Sequence, residues 1–344
     1  MERIITYDEI PFSFGKKIYY KKTEEDPKLV SILTKKCYRL IDDIRFTDKN
    51  TIYLTGRRED YICESTKAYR YMVDCNIQRT LGERNITKPG TYAFNMDDLR
   101  EHKYKLPFVF KNENQNGGRE KFLIRTEEDY EKLIKACSEL VSGMYYNPSR
   151  LITSVNYNDY FSTFVIQDYI DTPSKYNTSV RLLTTPSNNL LYGSLKYNKS
   201  EEYLDNTSLL GILLSVKYPL STGSIVSNTL SGGDNILLGE DNYSLKEEML
   251  LKEHGIETDK FRNVIESSKE VHNKFKSELG IICGFDYIYD REKDEWFLLE
   301  YHSKPMLKVY SKRQNIPYIT DKQKMEARGR VKATALTLTL KRNN

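Results

Sequence analysis

Two short apolar runs, each interrupted by a carboxylate, lie close together in the C-terminal third of the chain. Residues 281–289 and 295–301 form two apolar runs, separated by a connector, residues 290–294, in which every side chain is charged. Short runs rich in aromatic and β-branched residues on either side of a polar turn predict a β-hairpin. Asp286 and Glu300 interrupt these runs, and a carboxylate in a half-buried strand needs a compensating charge or a metal. The pattern therefore places candidate chemistry on this hairpin.

Strands and helices alternate in the pattern of the remaining chain, which is typical of mixed α/β architecture. Period-two and short apolar runs predict strands, and apolar positions at helical spacing predict helices. The predicted strands are 16–20, 51–55, 106–110, 122–125, 164–170, 179–184 and 190–197, and the predicted helices are 27–40, 66–83, 126–140, 258–279 and 322–340.

The composition narrows the class of protein. The chain has 344 residues, with 39% hydrophobic and 30% charged side chains, and 53 basic against 49 acidic residues give a net charge of +4. So balanced a charge does not by itself argue for a nucleic acid or an anionic membrane, and we expect neither as a partner. Five scattered cysteines without metal-type spacing predict reduced thiols in the cytoplasm. We expect neither a signal peptide nor a membrane span.

The hairpin carboxylates form a candidate metal site. His302 follows Glu300 by two residues, so both point to one face of a strand. With Asp286 on the same face, the three side chains suit a hard cation such as Mg²⁺. The alternative is a carboxylate pair neutralised by Lys304 or Lys308.

A second candidate site lies at the end of the predicted strand 106–110. Lys111 follows this strand and precedes a polar turn with Gly117 and Gly118, where backbone N–H groups can approach an anion. Lysine supplies a point charge for phosphate. The turn lacks Walker spacing, so it is not a P-loop, and an ordinary hairpin with a flexible tip remains the alternative.

Polar side chains also interrupt two apolar strands in the middle of the chain. Gln167 and Asp168 lie within the run 164–170, where backbone and side chain could both meet a ligand. Arg181 lies among Val180 and Leu182, and an inward arginine needs a phosphate or a carboxylate as its partner. The alternative for Arg181 is an outward position on a sheet face.

These features occur in a fixed order that resembles the ATP-grasp superfamily, in particular the ribosomal-protein glutamate ligases and related carboxylate–amine ligases. The order is the Lys111 strand with its glycine turn, FVIQDYI at 164–170, the Arg181 strand, SNTLSGG at 227–233, and GFDYIYD with FLLEYHSKP between 284 and 305. The resemblance covers about residues 73–308.

The resemblance implies an ATP-grasp fold of α/β (α+β) class. An N-terminal α/β lobe over 1–75 would precede a small lobe with a glycine lid over 76–165 and a large lobe with the metal site over 166–344. The two later lobes would clamp ATP between antiparallel sheets.

The resemblance also assigns roles to residues. Lys111 would hold the ATP phosphates under a lid formed by Gly117 and Gly118. The adenine hinge would be formed by Gln167, Asp168, Tyr169 and Ile170. Arg181 and Asn228 would lie near the reacting groups. The metal ligands would be Asp286, Glu300 and His302.

The implied activity is an ADP-forming carboxylate–amine ligase that uses ATP and Mg²⁺ and proceeds through an acyl phosphate. Its partners would be small-molecule or peptide carboxylates and amines. A phosphotransferase acting on a hydroxyl and a non-catalytic nucleotide-binding module remain the alternatives.

Three departures from the family pattern affect this expectation. His302 stands where the family has a metal-ligating asparagine, and imidazole favours softer ions such as Mn²⁺. Ser179 stands where the family has an acid for ribose. The helical lysine expected before Pro89 is missing, since residues 73–76 read Val-Asp-Cys-Asn. These changes favour weakened or altered catalysis.

Overall fold

The computed structural model describes residues 5–57, 86–87, 91–94, 96–101, 104–112, 120–141, 164–171, 177–186, 189–198, 208–221, 234–238, 251–290, 292–305 and 321–341. The predicted helix 66–83 and the predicted site residues Gly117, Gly118 and Asn228 lie outside these residues. Within the described part of the chain, no helix is both long enough and apolar enough to cross a bilayer.

The strands and helices follow the predicted alternation. The strands are β1 Lys17–Tyr19, β2 Arg39–Ile41, β3 Ile52–Tyr53, β4 Ile86–Thr87, β5 Thr91–Phe94, β6 Phe108–Asn112, β7 Lys121–Ile124, β8 Phe164–Asp168, β9 Asn177–Thr185, β10 Asn189–Asn198, β11 Asp234–Leu238, β12 Cys283–Asp290 and β13 Glu295–His302. The helices are α1 Pro27–Lys35, α2 Met96–Glu101, α3 Glu127–Val141, α4 Leu209–Ile212, α5 Thr258–Lys274, α6 Lys276–Leu279 and α7 Asp321–Lys341. Single turns of other helix types cover Tyr7–Glu9, Ile44–Phe46 and Leu213–Lys217.

Three sheets organise these elements. The N-terminal sheet has the order β2-β1-β3 and is parallel. The four-stranded sheet, β5-β8-β6-β7, is antiparallel throughout. The six-stranded sheet has the order β11-β10-β9-β12-β13-β4, and only its β13–β4 pair is parallel. The expected mixed architecture with antiparallel sheets is confirmed, while the lobe boundaries at residues 75 and 165 stay predictions.

The first helix is shorter than the sequence predicts. It ends at Lys35, and residues 39–41 form strand β2. Cys37 adopts the left-handed region with φ +66°, and the N–H of Tyr38 donates to the carbonyl of Leu33 at 3.1 Å. This is a Schellman-type ending, which glycine usually marks. Because a cysteine occupies the position, the sequence carried no stop signal.

One face of the six-stranded sheet packs on helix α5. Val180, Leu182 and Phe285 lie in one buried cluster with Phe261 and Val264 of the helix. Since side chains alternate across a strand, the residues between them point to the opposite face. Arg181 and Asp286 are therefore turned away from α5.

A β-bulge in β13 sets the direction of the metal-site residues. Tyr287 pairs with Leu298, but Asp286 pairs with Glu300, so Leu299 is an extra residue. Leu298 and Tyr301 both belong to the cluster on α5, although they are three residues apart. The bulge reverses the alternation between them. Glu300 and His302 therefore face away from the core, on the same side as Asp286.

The four-stranded sheet repeats this division. Phe108, Phe110, Phe164 and Ile166 pack with helix α3 in a second buried cluster. By alternation, Lys111, Lys121 and Gln167 occupy the face opposite α3.

Helix α7 returns to the N-terminal region. Val331 and Leu336 pack with Leu29 and Leu33 of α1. The ammonium of Lys332 forms a buried ion pair with Glu25, with 2.5 Å between Nζ and Oε1.

Gly280 connects α6 to β12 at a crowded position. Its φ is +75°, and a Cβ there would lie 2.7 Å from the carbonyl oxygen of Gly56. Gly15 has a similar φ of +71°, but a Cβ at that position would meet nothing within 4 Å. Gly280 also has ψ −166°, a conformation open essentially to glycine alone, so its backbone and its contact with Gly56 both oppose a side chain.

We predict that Gly280→Ala lowers the free energy of unfolding more than Gly15→Ala. Gly15→Ala should cost about 1–2 kcal/mol for its left-handed backbone. Gly280→Ala should add about 1–3 kcal/mol for its glycine-only backbone conformation and the overlap with Gly56. Denaturant unfolding of both variants measures the difference, and equal losses would contradict the close contact.

A buried histidine anchors α5 to the sheet. His272 is fully buried, with Nε2 2.8 Å from the carbonyl oxygen of Gly280 and Nδ1 2.8 Å from the hydroxyl of Thr184. A carbonyl can only accept, so Nε2 donates, and Nδ1 accepts from Thr184. Burial lowers the pKa of His272 to about 4, against smaller opposing effects of hydrogen bonds to the backbone of Gly280 and of Thr184.

We predict that His272 makes the protein less stable as the pH falls from about 6.5 to 4. The unfolded chain takes up a proton at this residue near pH 6.5 and the folded chain only near pH 4, so acid favours unfolding. The loss should be on the order of 3 kcal/mol. Unfolding of wild type and His272→Gln across this range tests it, and parallel curves would contradict the assignment.

Candidate functional site

A row of charged side chains crosses the six-stranded sheet on the face opposite α5. In the register of the strands, Arg181 lies opposite Asp286, and Asp286 lies opposite Glu300. Residues directly opposite each other in antiparallel strands point to the same face and touch. The predicted site residues of β9, β12 and β13 are thus brought together by strand pairing.

Asp286 is held by two cations. Nε and Nη2 of Arg181 donate to its two carboxylate oxygens at 2.6 and 2.5 Å, and Nζ of Lys196 donates at 2.9 Å. Only 4% of Asp286 is exposed. Burial raises the pKa of this carboxyl, but Arg181 and Lys196 outweigh it and hold the pKa well below its usual range. Asp286 is therefore an anion in the folded protein.

Lys196 is a site residue that the sequence analysis missed. Burial lowers the pKa of Lys196 to about 8, and the neighbouring Asp286 offsets part of that effect. Lys196 lies opposite Ser179 in β10, beyond a register shift between Leu190 and Tyr192. Counting pairs from the turn would place Lys196 one residue out of register. Its polar position within an apolar strand was the available signal.

Asp286, Glu300 and His302 form a candidate metal centre. One ligand atom from each lies within 4.8 Å of the others. Nε2 of His302 is 3.6 Å from Asp286 and 3.4 Å from Glu300, and it is buried without a hydrogen-bond partner. Two carboxylates and an unpartnered imidazole nitrogen fit a divalent cation. The three residues fit the ion that the sequence implied.

Glu300 also faces the four-stranded sheet. Nζ of Lys121, at the start of β7, lies 3.8 Å from Oε1 of Glu300. Burial raises the pKa of Glu300, but Lys121, His302 and Lys111 together hold the pKa well below its usual range. The ion pair joins the two sheets, and we use the word cleft for the place where their charged faces meet, at Lys121 and Glu300.

Lys111 and Gln167 lie on the other wall of this cleft. The ammonium of Lys111 donates to the amide oxygen of Gln167, and Lys111 pairs with Lys121 in the register of β6 and β7. Both lysines project from the face opposite α3. Lys121, like Lys196, was absent from the sequence prediction.

Strand β8 ends at Asp168 rather than at Ile170, so Tyr169 and Ile170 of the predicted adenine hinge follow the strand. Asp168 is exposed and Ile170 is buried. The N–H of Tyr169 donates to the carbonyl of Pro107 at 3.5 Å. The Arg125 guanidinium lies 5.5 Å from the centroid of the Tyr169 ring. Pro107 has no N–H to donate in return, so the β6–β8 ladder ends here.

The alternative partners of the hairpin carboxylates were Lys304 and Lys308, and for Asp286 other cations take this place. Lys304 lies 3.9 Å from Glu24, and Asp286 is neutralised by Arg181 and Lys196 instead. Lys308 lies outside the described part of the chain.

The sequence matches no protein-family model and no curated protein. Solved structures with a similar course of the chain include the VanG D-Ala:D-Ser ligase from Enterococcus faecalis, with TM-score 0.45 and 10% identity over 93% of this chain and 71% of that chain. The D-cycloserine synthetase DcsG has TM-score 0.43 and 10% identity over 94% and 99% of the two chains. The L-amino acid ligase from Bacillus licheniformis has TM-score 0.41 and 11% identity over 85% and 68%.

We predict that Asp286→Asn strongly destabilises the protein. The change leaves Arg181 and Lys196 without their buried countercharge, and breaking such a pair costs about 3–5 kcal/mol. Glu131→Gln is the matched control, because the exposed Glu131–Lys135 pair on α3 contributes only about 0–1 kcal/mol. Chemical unfolding compares the two, and a loss at Asp286 no larger than at Glu131 would refute the charge clamp.

Proposed function

We propose that this chain is an ATP-grasp enzyme, an ATP-dependent and ADP-forming carboxylate–amine ligase. The observation that carries the proposal is the cleft in which Lys111 and Lys121 of one sheet face Glu300, Asp286 and Arg181 of the other. Lys121 and Glu300 approach to 3.8 Å across it. The cleft gathers the residues whose order along the chain resembles that superfamily.

The charge balance of the cleft supports a polyphosphate ligand. Among the described residues, four cations surround the two carboxylates Asp286 and Glu300; the cations are Arg181, Lys196, Lys111 and Lys121. A cluster with excess positive charge attracts an anion rather than a lone metal ion. Nucleotide and metal arriving together would satisfy both the lysines and the carboxylates.

The metal would be held by Asp286, Glu300 and His302. A divalent ion there would neutralise charge on the phosphates, which is the main catalytic requirement of phosphoryl transfer. Mg²⁺ suits the carboxylates, and the imidazole raises the relative affinity for Mn²⁺.

The other predicted residues receive roles within this proposal. Lys111 binds phosphate, and Gln167, Asp168, Tyr169 and Ile170 border the adenine. Arg181, fixed by Asp286 and backed by Lys196, orients the acyl phosphate. The resemblance would assign the lid to Gly117 and Gly118 and a role near the reaction to Asn228, which all lie outside the described residues.

The reaction has two steps. A substrate carboxylate oxygen forms a bond to the γ-phosphorus of ATP, and the bond to ADP breaks. An amine then attacks the acyl carbon, phosphate leaves with the carbon–oxygen bonding pair, and the amine loses a proton to phosphate or solvent. The chain's own part is to position and to neutralise charge, so no protein nucleophile is required. The substrates would be small-molecule or peptide carboxylates and amines in the cytoplasm.

Hydroxylamine trapping tests the reaction class. The protein is incubated with ATP, Mg²⁺ or Mn²⁺, hydroxylamine and a panel of carboxylic acids, while ADP and hydroxamate are measured. A ligase forms hydroxamate in step with ADP. ADP release with a phosphorylated hydroxyl compound and no hydroxamate would identify a kinase, and nucleotide binding without turnover would identify a non-catalytic module.

We predict that Lys111→Ala weakens ATP binding by about 1–3 kcal/mol, because it removes a charge-assisted phosphate contact. Lys135→Ala, on the exposed face of α3, is the control and should leave the affinity unchanged. Isothermal calorimetry measures both, and an unchanged affinity in Lys111→Ala would remove its phosphate role.

We predict that His302→Asn shifts the metal preference from Mn²⁺ toward Mg²⁺. An amide oxygen replaces an imidazole nitrogen, and oxygen ligands favour the harder ion. The ratio of nucleotide affinities with the two ions is measured for wild type and variant. Identical ratios would exclude direct ligation by His302.

A further inference from the structure

Two lysines stand side by side on the cleft wall. Lys111 and Lys121 are direct partners in the β6–β7 register and point to the same face. Like charges directly opposite each other in a sheet are destabilising. Gln167 gives Lys111 a neutral partner, and Glu300 gives Lys121 an anionic one. Glu300 is the anion near both ammonium groups, since Lys121 and Lys111 both lower its pKa.

Glu300 is required for two purposes that conflict. Its carboxylate pairs with Lys121 at 3.8 Å, and it also belongs to the three-residue metal centre. A cation at Oε1 competes electrostatically with a metal ion for the same negative charge. The Lys121 contact therefore weakens metal binding as long as it persists.

The two ion pairs of the cleft differ in how easily they part. Arg181 and Lys196 hold Asp286 through three hydrogen bonds of 2.5–2.9 Å, and the exposed fraction of the Asp286 side chain is 5%. Glu300 has 32% of its side chain exposed and meets Lys121 at a single longer distance. Lys121 is 16% exposed, so the pair is weak because its one contact of 3.8 Å exceeds hydrogen-bond length, not because it is solvated. Lys121 can therefore leave Glu300 at low cost, whereas Asp286 keeps its partners.

We propose that Lys121 is a further polyphosphate-binding residue, which Glu300 holds while no nucleotide is bound. This proposal rests on the proposed function. Nucleotide phosphate takes over the ammonium, and Glu300 is released to the metal centre. Nucleotide and metal then favour each other's binding, and by linkage each raises the affinity for the other equally.

The first measurement follows Mn²⁺ binding to the full chain without nucleotide, using the electron paramagnetic resonance signal of free Mn²⁺. Lys121→Met keeps the length of the side chain and removes its charge. The variant should bind Mn²⁺ about two- to fivefold more tightly, because Glu300 has lost its competing cation.

The second measurement follows ADP binding by calorimetry in the presence of a metal chelator. Lys121→Met should bind ADP about tenfold more weakly, since a charge-assisted phosphate contact is lost. One substitution thus moves the two affinities in opposite directions, which loss of folding would not do.

Two further variants serve as controls. Lys121→Arg retains the charge and should recover part of the ADP affinity that Lys121→Met loses. Lys135→Met removes an exposed lysine of α3, 61% of whose side chain is accessible, and should change neither affinity.

The results separate this proposal from the proposed function. Opposite shifts in Lys121→Met, with Lys135→Met near wild type and part of the ADP affinity recovered in Lys121→Arg, support the exchange. Unchanged affinities, or a loss of both, would overturn it while wild-type nucleotide binding leaves the proposed function standing. A wild-type chain that binds no nucleotide with or without metal overturns both.

Discussion

The burial of the Asp286 carboxylate is the constraint on which the candidate site depends. An ionised carboxylate with 4% exposure is stable only with close countercharges, and Arg181 and Lys196 provide them at 2.5–2.9 Å. Those contacts require β9, β10 and β12 to pair in one register. Helix α5 and the aromatic cluster behind the sheet hold that register, so the hydrophobic core and the charged face specify each other.

The hairpin chemistry could be predicted from sequence, but its geometry could not. Asp286, Glu300 and His302 stood out as polar residues in apolar runs. Counted from the turn, however, Glu300 would lie opposite Phe285 and face the core. The extra residue Leu299 corrects this, and a bulge leaves no clear mark in a sequence of mixed apolar residues.

Other differences have equally local causes. The register shift in the β9–β10 pair hid Lys196, and Lys121 stood out in no pattern because a lysine at the start of a strand is usually a solvated residue. The left-handed Cys37 ended α1 without the glycine that normally signals it. Long periodic segments such as α3 and α5 were easier to predict, because their apolar stripes extend over several turns.

We propose that the cleft holds a metal ion and nucleotide phosphates between the two sheets. A crystal structure with Mn²⁺ and a non-hydrolysable ATP analogue, with anomalous data collected at the manganese edge, tests this directly. We expect an anomalous peak among Asp286, Glu300 and His302, with the phosphates beside Lys111 and Lys121. A peak elsewhere, or a nucleotide outside the cleft, would contradict it.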